Sequence, residues 1–237
     1  MADFPNLTGA IEAALRDANA GDAWGGDRLH ISDLGYSEQG GLCPRELKLR
    51  LQGAEGKPPS EGMMWLWDRG HDAEARVEQI LGKFLAEGWR LKDWQVGIEY
   101  QGIKGTLDFL LEHEDETTCI IDCKTARGNA FDRLRNAPKE SHVLQVSAYA
   151  LATGADMAGL LYVDREGQNG FIQWEVARDR EAVDRAVTEI KSVSDNEILP
   201  PIVKPNVTVR ENKGPDSIYL KEKWTCSYCS YRDISCD

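Results

Sequence analysis

Two acidic strand-like segments followed by one helical segment, all between Gly105 and Tyr149, constrain this chain more than any other feature. Gly105-Thr106-Leu107-Asp108 and Asp122-Cys123-Lys124 lie in short apolar runs, Ile103 to Leu111 and Thr118 to Thr125, which the pattern predicts as strands. Gln145-Val146-Ser147-Ala148-Tyr149 lies in a helical run from Ser141 to Thr153. Strand side chains alternate with a period of two, so Lys124 projects from the same face as Asp122 while Cys123 turns towards the core. Asp108 and Asp122 on neighbouring strands can hold a hard divalent cation, which prefers carboxylate oxygens. Gln145 and Tyr149, four apart on a helix, share a face.

Around this trio the rest of the chain reads as follows. Asn6 to Ala20 has helical periodicity, Ser32 is an N-cap ahead of Leu34, and Pro44 begins a helix running to Leu51. Gly62 to Glu87 is the longest helical pattern. A strand from Trp94 to Tyr100 precedes the two acidic ones, and an antiparallel meander is the simplest pairing of the three. Gly159 to Val163 and Phe171 to Val176 are two further strands, and Asp179 to Ile198 is a charged helix stopped by Pro200, Pro201 and Pro205. This order predicts an α/β fold with a central mixed β-sheet flanked by helices. The expected organisation is one compact unit with three parts: a helical region over 1–60, a core over 61–199 and a loop-rich segment over 200–237.

A chain of 237 residues with 41% hydrophobic content can bury one good core. It contains no apolar run near the roughly 18 residues of a membrane span, and MADFPNLTGA lacks the basic start and apolar stretch of a signal peptide. An intracellular protein with reduced or metal-bound cysteines is expected, with no membrane partner. The net charge of -12 argues mildly against nucleic acid, but basic residues cluster locally. The clusters are Arg45, Lys48 and Arg50; Arg127, Arg133, Arg135 and Lys139; and Lys213, Lys221, Lys223 and Arg232. Of Trp65, Trp67, Trp89, Trp94, Trp174 and Trp224, most are expected in the core. Trp224 and Tyr228 are the best placed to stack on unpaired bases.

The chemistry that this layout suits is phosphodiester hydrolysis, where a metal neutralises charge and acidifies water, and a fixed lysine stabilises the charge that develops. Gly105 would permit close approach of backbone or substrate where a larger residue would obstruct it. Gln145 and Tyr149 can hydrogen-bond to a phosphate or to Lys124, and the backbone carbonyl of Cys123 is placed to join a metal shell.

With Gly-x-x-Asp, Asp-x-Lys and Gln-x-x-x-Tyr in this order, the chain resembles the PD-(D/E)XK nuclease superfamily, and within it the RecB-type branch. The resemblance spans about Ile31 to Cys236 and implies a restriction-endonuclease-like core. It also implies a third metal ligand on an earlier helix, four residues after a glycine. That position after Gly70 is Glu74, and His71 lies beside the glycine. Glu74 or His71 would be the third metal ligand; Glu74 is preferred, which leaves His71 to contact substrate or support the site.

A second signal is Cys43, Cys226, Cys229 and Cys236, one early cysteine and a C-x-x-C plus a fourth near the other end. Four thiolates suit zinc or an iron–sulfur cluster, and spacing alone does not choose. The arrangement is similar to that of iron–sulfur RecB-type nucleases, the AddB-like and CRISPR-associated Cas-four-like proteins, including phage-encoded relatives. That likeness implies a structural 4Fe–4S cluster tying the N-terminal region to the C-terminus, with Zn²⁺ as the alternative. Cys119 and Cys123 are expected in the core.

These readings converge on a Mg²⁺- or Mn²⁺-dependent deoxyribonuclease, an exonuclease on single strands or duplex ends. The biological settings implied by the resemblance are recombination and repair, phage DNA processing or CRISPR adaptation, with a protein partner in such a complex. The alternatives are a nuclease-inactive DNA-binding assembly subunit and a zinc-stapled endonuclease.

Overall fold

The computed structural model of the protein describes residues 28–167, 170–201 and 229–231. Its centre is a five-stranded sheet in the order β1-β2-β3-β4-β5, formed by β1 (Trp89–Tyr100), β2 (Ile103–His113), β3 (Thr118–Ala126), β4 (Met157–Asp164) and β5 (Phe171–Glu175). Gln101 and Gly102, at φ 49° and 80°, make the two-residue turn between β1 and β2, and such a turn matches strand twist only when both positions are left-handed. β2 pairs antiparallel with β3, and β3 pairs parallel with β4. β5 returns antiparallel along β4, so the sheet is mixed as expected.

A parallel pair needs a crossover, which here consists of α3 (Gly128–Arg133) and α4 (Glu140–Thr153). The other helices are α1 (Pro44–Leu51), α2 (Glu61–Phe84) and α5 (Arg180–Asp195). Helices cover both faces of the sheet and produce two apolar clusters. The larger joins Leu107, Ile120, Leu160 and Tyr162 to α4, α5 and a 3-10 helix, Ile31–Tyr36. The smaller packs Val77 of α2 against Phe109, Leu111, Ile121 and Cys123. Ile120 and Ile121 therefore face opposite ways along β3, as period-two alternation requires.

Several expectations need correction. The 3-10 helix is capped by His30 instead of Ser32: the Ser32 N–H donates to His30 Nδ1, and the His30 N–H donates to Asp33 Oδ2 at 2.7 Å. β1 begins at Trp89, five residues before the expected start, because Gly88 at φ 81° turns the chain into register with His113. α3 has no counterpart in the sequence reading, since six residues are too few to show periodicity. α5 ends at Asp195, before the prolines. The expected helix over Asn6 to Ala20 lies outside the described residues.

The tryptophans also differ from expectation. Trp65 and Trp94 are each 51% exposed and Trp67 is exposed, while Trp89 and Trp174 are half-buried. The sheet-facing stripe of α2 runs through Val77 and Leu81, so Trp65 and Trp67 fall off it. Trp94 sits on β1, an edge strand. Trp224 and Tyr228 lie outside the described residues.

The first basic cluster is structural. Lys48 is buried and donates to the Ser194 carbonyl, Arg45 donates to the Pro200 carbonyl, and Arg50 pairs with Asp33, so these cations tie α1 to the end of α5 and to the 3-10 helix. Among the described residues, no helix is long and apolar enough to cross a membrane.

Candidate active site

The site opens where β2 and β3 part. Their ladder runs from Glu112↔Thr118 to Phe109↔Ile121 and stops one pair short of Asp108 and Asp122. Beyond that point the Asp108 side chain replaces the missing strand partner: the Cys123 N–H donates to Asp108 Oδ2 at 2.7 Å. A buried backbone N–H must find an acceptor, so this bond both satisfies Cys123 and fixes the carboxylate at the fork. β2 also changes face here, with Leu107 in the larger cluster and Phe109 in the smaller.

Asp122 is fully buried, and Lys124 Nζ lies 2.8 Å from its Oδ2. Apart from this ion pair, neither Asp122 oxygen has a hydrogen-bond partner among the described residues. Burial pushes the Asp122 carboxyl above its ordinary range; the Lys124 charge opposes this, and Asp108 adds to it. Asp108 is raised by burial too, against Lys124, the Cys123 N–H and Gln95. For Lys124, burial favours the neutral amine, but the charges of Asp122 and Asp108 outweigh it and hold the ammonium protonated.

Glu74 joins this field from α2. Its carboxyl is raised by burial and then by Asp108, with Lys124 and His71 acting in the opposite sense, and Asp122 in turn feels Glu74. Glu74 is half-buried, and His71 is exposed beside it. Among the described residues no three His, Cys, Asp or Glu side chains are grouped so that they could hold a metal ion. Carboxylate oxygens are nonetheless the donor type that a hard divalent cation takes. Lys124 pairs with Asp122, its charge also reaches Asp108 and Glu74, and burial destabilises all three carboxylates as anions. Charge compensation from a hard cation is what such a cluster lacks.

The helix residues support this floor from below. Tyr149 is 0% exposed, and its hydroxyl accepts from Gln145 Nε2 at 2.7 Å. Tyr149 therefore lies beneath Lys124 and Asp122, whose charges it feels, and not on a surface that a phosphate can reach. Gly105 serves packing and not substrate: a Cβ there would come within 2.9 Å of Ile31 and 3.0 Å of Tyr149. Cys123 is buried in the smaller cluster, as alternation predicts, and Cys119 is half-buried at its edge.

Gln95 is absent from the residues expected from the motifs. It sits in the middle of β1 at φ 51°, a left-handed conformation unusual for a non-glycine residue within a strand. Its Nε2 donates to Asp108 Oδ1 at 3.4 Å, so both Asp108 oxygens are held. No propensity marks it; only the backbone conformation does.

The cysteine signal is described in part. Cys43 caps the start of α1, and Cys226 and Cys236 lie outside the described residues. The segment 229–231 docks on the loop after α1, where the Lys57 N–H donates to the Ser230 carbonyl at 2.9 Å and Tyr231 is buried.

Residues 40–237 match the family model of the PD-(D/E)XK nuclease superfamily. A search of curated protein sequences found no match. Among solved structures, SSO0001 is similar with a TM-score of 0.56 at 16% identity, covering 98% of this chain and 97% of that one. A phage related exonuclease from Haemophilus somnus 129PT gives a TM-score of 0.50 at 15% identity over 70% of this chain and 92% of the other. An alkaline exonuclease from Laribacter hongkongensis gives 0.48 at 17% identity over 70% and 86%.

Proposed function

The chain belongs to the PD-(D/E)XK nuclease superfamily, and from that membership we propose that it is a Mg²⁺- or Mn²⁺-dependent deoxyribonuclease acting as an exonuclease on single strands or duplex ends. The observation that carries this reading is the buried Lys124–Asp122 ion pair at the fork between β2 and β3, with Asp108 fixed beside it by the Cys123 N–H and Glu74 within reach of their charges. The exonuclease mode rests on the sequence resemblance, and the fold shared with the phage related exonuclease agrees with it.

Asp108, Asp122 and Glu74 would hold the metal, with the backbone carbonyl of Cys123 as a further donor and His71 beside the entrance. A bound divalent cation offsets the charge of the phosphate and brings the ionisation of water towards neutral pH. Lys124, kept protonated by its acidic neighbours, orients the attacking water or stabilises the charge that builds on the phosphate. Gln145 and Tyr149 hold the floor, and Gln95 with the Cys123 N–H fixes both oxygens of Asp108. The burial of Asp122 and its ion pair with Lys124 support a site organised before substrate arrives.

Cys43, Cys226, Cys229 and Cys236 would hold a 4Fe–4S cluster, with zinc as the alternative. Docking of 229–231 against the region of α1 supports a staple between the two ends of the chain. A broad brown absorption in freshly purified protein is expected; a colourless, zinc-replete sample prepared without oxygen rejects the cluster. Recombination, phage DNA processing or CRISPR adaptation are the settings that the resemblance suggests.

Digestion of end-labelled single- and double-stranded DNA with Mn²⁺ or Mg²⁺ tests the activity. Lys124→Ala is expected to abolish cleavage while the far-ultraviolet spectrum stays unchanged, and full activity in that variant would sink the assignment. DNA binding without cleavage by the unmodified chain would favour the inactive assembly subunit.

A further inference from the structure

α4 carries a polar stripe of three residues, and the outermost takes no part in the floor of the site. His142, Gln145 and Tyr149, spaced three and four apart, lie on one face of the helix. That face packs on the side of the sheet from which Asp122 and Lys124 project. Tyr149 shares the larger apolar cluster with Tyr162 and with Ile120, which points the same way as Asp122 two residues later. Tyr162 of β4 is the register partner of Lys124, so the two side chains leave that face from backbones about 4.8 Å apart. Exposure rises along the stripe, from Tyr149 at 0% through Gln145 at 8% to the half-buried His142. His142 stands at its open end.

The hydrogen bonds around His142 fix which ring nitrogen carries the hydrogen. The buried Tyr162 hydroxyl has two contacts, the Lys139 N–H at 3.3 Å and His142 Nδ1 at 3.0 Å. A backbone N–H can only donate, so the hydroxyl accepts from Lys139, and its own hydrogen has one acceptor in reach, Nδ1. The imidazole hydrogen is therefore on Nε2. Burial, reinforced by the charges of Lys124 and Lys139, keeps the ring neutral at pH 7. Nε2 itself has no hydrogen-bond partner among the described residues and is open to solvent.

A donor fixed in this way calls for an acceptor. The Lys124 ammonium and the His142 Nε2–H offer donors only, so a group that meets both must bring oxygens and suit a cation, as a phosphate does. We infer that His142 is a substrate-binding residue of this site, donating from Nε2 to an oxygen of a DNA phosphate beside Lys124, with Tyr162 holding the ring in the donating form. The inference rests on the nuclease reading above for the identity of the ligand.

The test is binding of a labelled single-stranded oligonucleotide to the full chain, read by fluorescence anisotropy with Ca²⁺ in place of Mg²⁺. His142→Phe keeps a ring and loses both nitrogens, and it is expected to weaken binding about tenfold or more, as loss of a hydrogen bond to a charged group does. The slope of log K against log salt should stay the same, because a neutral donor releases no counterion, whereas a lost cationic contact lowers it by about 0.7 on a single strand. His142→Gln, whose amide can donate in place of Nε2, should recover most of the affinity. A His142→Phe affinity within about twofold of the unmodified chain, a changed slope, or a glutamine variant no better than phenylalanine each overturns the contact. If His142→Phe does not fold, the unmodified chain decides by nitrogen-15 spectra of its imidazoles, with His142 assigned through the glutamine variant. An Nε2–H signal that moves when oligonucleotide is added supports the contact; an Nδ1–H form, or a signal that ignores the oligonucleotide, overturns it. Cleavage in Mn²⁺, measured in parallel, separates the two ideas. Binding that depends on His142 without any cutting overturns the nuclease reading and leaves the contact standing; cutting with a KM and affinity indifferent to His142→Phe does the reverse.

Discussion

α4 and α2 flank the same sheet and both serve the same site, yet they are held in opposite ways. α4 buries seven consecutive residues, Leu144 to Ala150, and α2, at 24 residues, buries only Met64 and Val77. A helix buried on all sides is a fixed platform, whereas one attached by a single stripe leaves its other faces for solvent or ligand. The residues each contributes follow that division. α4 supplies the buried Tyr149 and Gln145, and α2 supplies the exposed Arg69 and His71 and the half-buried Glu74. α4 is thus the buried side of Asp122 and Lys124, and α2 the side more open to solvent.

The sharpest way to break this contrast is by truncation. Tyr149→Ala is expected to cost about 3–5 kcal/mol, from lost burial and an orphaned Gln145 amide. Phe84→Ala, at a position 77% exposed on α2, is expected to stay within about 0.5 kcal/mol. Urea denaturation of both variants measures the difference, and equal losses would mean that α2 is as firmly packed as α4.

Acid probes the same platform more gently. His142 of α4 is pushed down to about 3, first by burial and then by Lys124 and Lys139, and its Nδ1 contacts the Tyr162 hydroxyl at 3.0 Å. A histidine depressed in the folded state binds its proton more readily when unfolded. Its stabilising contribution is therefore intact above pH 6.5 and is lost as pH falls towards 3. Between pH 6.5 and 4.5 the loss is on the order of 2 kcal/mol. His142→Leu should lose less stability than the unmodified chain over that window, as read from denaturation midpoints; parallel curves would show that His142 is not held neutral.

The smallest effect belongs to α2. Glu74 is raised by burial and by Asp108, so its ionised form costs stability above its folded value, and that cost is absent where it is protonated. Glu74→Gln is expected to stabilise the metal-free protein at pH 8 by less than about 1 kcal/mol, with the gain fading towards pH 4. The same variant should lose most Mn²⁺-dependent cleavage. A destabilised Glu74→Gln protein would place Glu74 in the packing, on the α4 side of the contrast.

Much of the fold was legible because it is written in local periodicity. Alternation put Lys124 with Asp122 and Cys123 in the core, and helical spacing set Gln145 beside Tyr149. Residues whose roles depend on distant neighbours were not legible. Gly105 looks like a gap for substrate until Ile31 and Tyr149 are seen to fill it. Trp65 and Trp94 look like core residues until the faces of α2 and β1 are known. Arg45, Lys48 and Arg50 look like a basic patch and are spent on carbonyls and Asp33.

The sequence by itself determined which acids, lysine and helix face could act together, since a period of two or 3.6 residues places side chains within one element without reference to any other. Only the tertiary structure decided where β2 and β3 part, that Asp108 fills the gap, and that Gln95, left-handed within β1, reaches its second oxygen. These are contacts between segments far apart in the chain. Their geometry comes from packing and from satisfying buried backbone groups, and no local pattern encodes it.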